Sequence, residues 1–193
     1  MNINRSSFAT LLSISIIILN EAMAIETPEH TFIRKENGFE LREYAPMIVA
    51  TTHVKSDYSD AASIGFRRIA SYIFGGNSAS MSIAMTAPVL TNTPEPENFY
   101  EIQFVMPSEH SMENLPQPNS QNVTLKKVNL GRTAVLRFGG WATKDRASHY
   151  KSKLSDLLIA SGYTVNGAFM VAQYNSPWAI PPFRKNEIIV QIK

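Results

Sequence analysis

The sequence has no cysteine. That excludes disulfides, thiolate ligands to heme, Cys-rich zinc or iron–sulfur sites, cysteine nucleophiles and a lipid-modified cysteine at an export cleavage point. It also lacks an excess of charge of either sign: 18 Lys and Arg stand against 16 Asp and Glu, a net of +2 over 193 residues. So weak a field gathers neither nucleic acid nor anionic lipid, and no nucleic-acid partner is expected. There is no G-x-S-x-G nucleophile elbow, no Gly-rich phosphate loop and no H-E-x-x-H pair, so nothing in the motifs argues for an enzyme.

Long apolar runs are missing as well. The one run near the N-terminus, Phe8 to Leu19, is broken by Ser13 and Ser15 and is shorter than the roughly 20 residues a spanning helix needs. Arg5 before it and the small-x-small triplet Ala22-Met23-Ala24 after it make residues 1–24 a signal peptide by pattern, with an uncleaved anchor as the alternative. The expectation is an exported chain, periplasmic or secreted, that starts at Ile25 and has no integral membrane span after cleavage.

What remains is 44% hydrophobic, enough for one domain with a real core. Residues 25–38 are polar with little periodicity and read as an N-terminal arm carrying His30. From Phe39 the sequence alternates as two strands, FELREYAP and MIVATTHV, parted by Ala45-Pro46, which suggests a hairpin or a bent strand. Ala62, Phe66, Ile69 and Ile73 then recur at helical spacing. Ser56, Asp57, Ser59 or Asp60 offers the N-cap oxygen, Gly75-Gly76 the stop, and Gly65 marks a close backbone contact. Met81, Ile83, Met85, Ala87 and Val89 alternate as one face of a strand, and Tyr100, Ile102, Phe104 and Met106 as one face of another.

After a surface loop containing His110, the order repeats. VTLKKV and RTAVLRFGG read as strands, residues 143–161 as a helix with Ala147, Tyr150, Leu154, Leu157 and Leu158 on one face, and AFMVAQY and NEIIVQI as two more strands. The fold class expected is therefore α+β: duplicated strand-strand-helix-strand-strand units, about 39–107 and 122–193, within a single domain 39–193. Two such units would form a distorted antiparallel β-barrel flanked by two helices, with a groove where a helix meets the sheet.

Several segments, in order, resemble the SOUL/heme-binding-protein family. They are the Arg42–Pro46 turn, the helix ending in YIFGGN, the IAMTAPV stretch from Ile83 to Val89, the RFGGWA segment, and YNSPWAIPPFRKNE from Tyr174 to Glu187. The resemblance implies a duplicated α+β barrel that binds heme or another tetrapyrrole on an apolar face around the first helix, here near Ser63, Phe66 and Ala70. Where family members have a proposed axial histidine this sequence has Glu43, and the position of a basic pocket residue falls near Ile180. The architecture is also similar to gyrase-inhibitor-like and effector-binding domains, as a likeness of fold alone.

The candidate ligand-contacting set is Ser63, Phe66, Ala70 and Ile73 on the helix, with Trp178, Ile180 and Phe183 in the stiff NSPWAIPPF stretch as a second, aromatic wall. No metal ligand set is expected, and heme, if taken, has no firm axial ligand. Among the histidines only His53, which alternates with Val49 and Thr51, falls near a groove. Met81 and Met85 could ligate heme iron but read as core filling, and Tyr72 and Tyr174 are phenolate candidates on the same footing. Arg184, Asn186 and Glu187 read as a hydrogen-bond cluster tying strand ends, the alternative being Glu187 as a cation site or a buried base. The functional expectation is non-catalytic tetrapyrrole binding as carrier, buffer or scavenger. Its rival is an envelope protein–protein interaction module whose protein partner the sequence does not identify.

Overall fold

Two-residue alternation builds the strands and the 3.6-residue period the helices in the computed structural model, which describes residues 25–92, 98–175 and 179–193. The expected export signal, residues 1–24, lies outside these. In chain order the elements are β1 (His30–Glu36), β2 (Phe39–Tyr44), β3 (Met47–Lys55), α1 (Tyr58–Ile73), β4 (Val89–Asn92), β5 (Phe99–Val105), β6 (Thr124–Val128), β7 (Gly131–Gly139), α2 (Lys144–Ala160), β8 (Met170–Gln173) and β9 (Lys185–Gln191), with a 3-10 turn at Pro181–Phe183.

The strands form one nine-stranded sheet in the order β1-β2-β7-β9-β8-β4-β5-β3-β6, and every pairing is antiparallel. With the two helices packed against the sheet, this is the expected α+β architecture, a barrel distorted until it is a curled half-barrel. A pseudo-twofold axis passes between Thr91 and Val171, where β4 pairs with β8. On one side lies β4-β5-β3, on the other β8-β9-β7, and each half gives its first strand away: β2 pairs with β7 of the second half and β6 with β3 of the first.

This exchange corrects the hairpin expected at Ala45-Pro46. β2 and β3 lie in different parts of the sheet, and the chain crosses from one half to the other between them. The true hairpin is upstream. Residues 25–38, read as an arm, contain the edge strand β1, which pairs with β2 through Asn37-Gly38. Both turn residues have positive φ, +46° and +94°, the geometry that a two-residue Asn-Gly turn adopts most readily.

Side chains alternate between two buried layers. Phe39, Leu41, Ala50, Ile102, Leu136, Phe138, Ile188 and Val190 face the helices, meeting Ala61, Ile69 and Tyr72 of α1 and Ala147, Leu154 and Leu158 of α2. Tyr44, Val49, Leu90, Val105, Val135, Met170, Ala172 and Ile189 form a second cluster on the opposite face. The face of α2 is as read, with Tyr150 and Leu157 partly buried at its margin, and Thr143 caps the helix by accepting from the Arg146 N–H.

On α1 the period is right and the phase is not. The buried stripe is Tyr58, Ala61, Gly65, Ile69, Tyr72 and Ile73, which leaves Ala62 and Phe66 half-buried. Gly65 explains the rotation. A Cβ there would lie 2.7 Å from Ile102 Cγ1, so the helix backbone rests directly on β5, in the close contact the glycine suggested. Asp57 occupies the N-cap position but makes no side-chain cap bond.

The strand expected over 81–90 is also corrected, because only Val89–Asn92 is a strand. The buried Asn77 side chain accepts from the Met81 N–H and donates to the Met81 carbonyl, Ile83 N–H donates to Ile73 O, and the Thr86 hydroxyl donates to Val105 O. These bonds take the groups a ladder would use. Met81 and Met85 consequently stand at the surface and do not fill the core.

Candidate functional site

The outer side of α1 carries an apolar stripe of its own. Phe66, Ala70 and Phe74 follow one another at four-residue spacing, which puts them on one face. Phe66 and Ala70 are half-buried and Phe74, at the C-cap, is 63% exposed. The bridge between Phe74 and Ser82 brings the next segment alongside, and from it project Met81 and the half-exposed Met85. Of the predicted helix residues, Ser63 lies exposed at the start of this stripe with its hydroxyl on Ser59 O. Ile73 is 1% exposed and supports the face from within the core. Phe74 escaped the sequence reading, although its four-residue offset from Ala70 was the signal that could have found it.

Phe66 meets Phe104 edge-on at 5.5 Å. Phe104 pairs with Val89, and Val89 with Gln173, so the segment that leaves β8 at Tyr174 starts from the row of the sheet over which Phe66 sits. Of the expected second wall, Trp178 lies outside the described residues. Ile180 and Phe183 are 58% and 71% exposed, and the 3-10 turn that ends in Phe183 packs against β7, four strand positions from β5. At about 4.8 Å per strand that separates Phe183 from Phe66 by roughly 19 Å in a flat sheet. Phe183 has a different neighbourhood. Trp141 lies beneath the Arg184 guanidinium at 3.7 Å, Arg184 Nε donates to Ala179 O, and Asn186 Nδ2 donates to Gly140 O. Two loops are thereby stitched into one rigid edge.

Glu187 is not part of that stitching. It is 5% exposed and bound by both arms of Arg42, at 2.8 and 3.1 Å, with Tyr174 donating at 2.6 Å and Arg137 at 3.3 Å. Arg42 also reaches Glu40 at 2.7 Å and Tyr44 at 3.0 Å. Burial alone would raise the Glu187 carboxyl, but the bonds from Arg42 and Tyr174 and the charges of Arg42 and Arg137 hold it below its ordinary value. Burial and the adjoining carboxylate push the Tyr174 phenol upward. A general base needs a raised, accessible carboxylate, whereas Glu187 is an ionised anchor. Tyr174 is thus committed to this cluster, and Tyr72 donates to Pro116 O.

The histidines are dispersed: His30 against Tyr44, His53 stacked on Phe99, His110 beside Glu109, His149 on α2 against Tyr150. Among the described residues no group of three or more His, Cys, Asp or Glu could hold a metal ion. Glu43 opens on a hollow of about 350 Å³ lined also by Glu29, His30 and Asn129, a polar setting unsuited to a flat apolar ligand. No helix among the described residues is long and apolar enough to cross a membrane.

Residues 25–191 match the family model described as SOUL heme-binding protein. Human heme-binding protein 2 is 29% identical over 167 residues, covering 81% of either chain. Among solved structures, the EcmrR C-terminal domain superimposes with a TM-score of 0.62 at 13% identity, over 80% of this chain and 96% of that one. A hydrolase from Listeria innocua gives 0.57 at 10% identity, over 83% and 94%. Likenesses at this identity show a shared fold and carry no activity with them.

Proposed function

Because the chain belongs to the SOUL heme-binding protein family, we propose that it binds heme or another tetrapyrrole reversibly on the outer face of α1, as an exported carrier, buffer or scavenger without catalysis. The observation that carries this reading is the surface stripe Phe66, Ala70 and Phe74, continued by Met81 and Met85. A tetrapyrrole supplies a flat apolar macrocycle, and these side chains suit packing against one. They do not include an axial histidine, since Glu43 occupies that position, and the exposed thioethers of Met81 and Met85 are the soft donors beside the stripe. Ile73 supports the face from below. Ile180 and Phe183, expected as a second wall, stand in the loop beside β7 and are not part of this face.

The test is a titration of the protein with hemin, with protoporphyrin IX as the metal-free control. Saturable one-to-one binding of both is expected, and Phe66→Asp should abolish it in a protein that still folds. Unchanged affinity in that variant would refute the site. Export is tested separately by N-terminal sequencing of the mature protein, which should begin at Ile25. A second reading, an interaction module for another protein, is favoured by the rigid edge that displays Trp141, Ile180 and Phe183. Absence of saturable binding to either tetrapyrrole would move the function there.

A further inference from the structure

The two halves match closely in what holds the sheet together. Glu187 on β9, gripped by Arg42 on β2, has its counterpart in Glu101 on β5, gripped by Lys126 on β6. Counted from the N-caps Asp57 and Thr143, Ala61 corresponds to Ala147 and Tyr72 to Leu158, and all four are buried. Each half therefore serves as a control for the other, and a feature present in only one is not required by the fold. Two such features lie together. On the same count the outer stripe Phe66, Ala70 and Phe74 corresponds to Ser152, Asp156 and Ala160, which are exposed and include no aromatic group. The connection after the helix is also longer in the first half, where residues 74–88 join α1 to β4, whereas only residues 161–169 join α2 to β8.

The longer connection carries Met81 and Met85, and it is fixed at both ends of the stripe. Beside Phe74, Ser82 forms a bridge to that residue and Ile83 N–H donates to Ile73 O. At the other end Val89 pairs with Phe104, whose ring meets Phe66. Between these ends Ile83 and Ala87 are buried, the Thr86 hydroxyl donates to Val105 O and Ala87 N–H donates to Glu26 O. Met85 is held on both sides by these contacts, yet it is 50% exposed and open to a ligand from solvent. From Phe66 to Phe74 the helix rises about 12 Å, with the small Ala70 at the middle. Met85, three residues from Ser82 and four from Val89, comes level with that middle. Met81 stands at the Phe74 end, its backbone N–H and C=O both bound by Asn77.

The donors available at this face are few. Neither α1 nor residues 74–88 contain a histidine, and the Tyr72 phenol is taken by Pro116 O. A thioether is a soft, neutral donor that serves as an axial ligand to heme iron and favours the reduced state. We propose that Met85 Sδ is the axial ligand to the iron of a heme held on the α1 face, with Met81 packing against the macrocycle at the Phe74 end. This role rests on the tetrapyrrole reading of the same face and adds the metal to it. Packing alone takes a metal-free porphyrin as well as heme, whereas Met85 gives heme an advantage that is largest for ferrous iron.

Protoporphyrin IX and dithionite-reduced hemin are the probes, each titrated into the full chain and into Met85→Leu, Met81→Leu and Met85→His. Met85→Leu should leave the affinity for protoporphyrin IX unchanged and weaken ferrous heme at least about tenfold, since even a group that only supports a metal ligand is worth that much. Met81→Leu should affect both probes alike, and Met85→His should restore tight heme binding with the spectrum of an imidazole complex. In the ferrous carbonyl complex, which is diamagnetic, one methionine methyl signal of ¹³C-methyl-labelled protein should move far upfield in the ring current, and Met85→Leu should remove it. Equal loss of both probes in Met85→Leu, undiminished ferrous affinity there, or an upfield methyl signal that survives the substitution would each overturn the ligand and leave the face standing. Failure of the wild type to bind either probe would overturn the face and the ligand with it.

Discussion

The two halves of the sheet solve one problem with different chemistry. In each, a strand received from the other half must be held at the sheet, and in each a cation on that strand grips a glutamate two strands away. The second half uses arginine, with an arginine side chain only 2% exposed against a glutamate 6% exposed. The first half uses lysine, which is far more exposed. A rigid fork can satisfy both carboxylate oxygens and survive burial, whereas a single ammonium on a flexible stem satisfies one and stays near water. The comparison separates a buried anchor from a looser clasp at the water's edge.

The largest effect should come from breaking the buried clasp. Arg42→Met leaves the Glu187 carboxylate inside the protein without its main partner and should destabilise by about 3–5 kcal/mol at neutral pH, read from urea denaturation. In that variant burial dominates and raises the Glu187 pKa, so part of the loss should be recovered on acidification. The wild type should behave oppositely. Burial opposes the donors at both Glu101 and Glu187, yet the net shift of each is below the ordinary value of 4.5. A carboxyl depressed on folding stabilises above its unfolded pKa, and that contribution is lost as pH falls. Stability should therefore decline from about pH 4.5 downward.

An intermediate effect should come from the helices. α1 rests on β5 through Gly65, while no glycine occurs in α2. Gly65→Ala improves helix propensity but drives a methyl group into Ile102, and should cost about 1–3 kcal/mol. A stabilised variant would show that this contact has slack. The smallest effect belongs to Lys126→Met, at or below about 1 kcal/mol as for other partly exposed ion pairs. Equal losses in Lys126→Met and Arg42→Met would break the comparison itself.

Much of this was legible in the sequence. The duplicated order, the apolar faces of β5 and α2 and the contact at Gly65 follow from local periodicity, and local periodicity survives folding. Three features did not follow from it. β1 was hidden because an edge strand facing solvent on both sides has no apolar alternation, although Asn37-Gly38 announced its turn. The 81–88 segment alternates like a strand, but Asn77 and neighbouring backbone groups claim its hydrogen bonds. The phase of α1 depended on Gly65, which scores as apolar nowhere yet faces the sheet. Of the candidate site, Phe66 and Ala70 were readable as helix residues. Phe74, one helical turn beyond Ala70, was within reach of the same spacing, whereas Met81 and Met85 were not, because exposure of an apolar side chain is decided by what else fills the core. The buried Arg42–Glu187 pair joins residues 145 positions apart, and no local pattern encodes that.

The strand exchange has a consequence for the history and folding of the chain. A polypeptide of half this length could make the same pairings only as a dimer in which each copy lent its first strand to the other. The present chain is such a swapped pair made covalent by the connection between β5 and β6. Neither half contains all the strands of its own layer, so a cut in that connection should leave two fragments that fold only together, and mixing them should restore the sheet. Folding must wait for contacts between distant parts of the chain, which places this protein among the slower folders for its size.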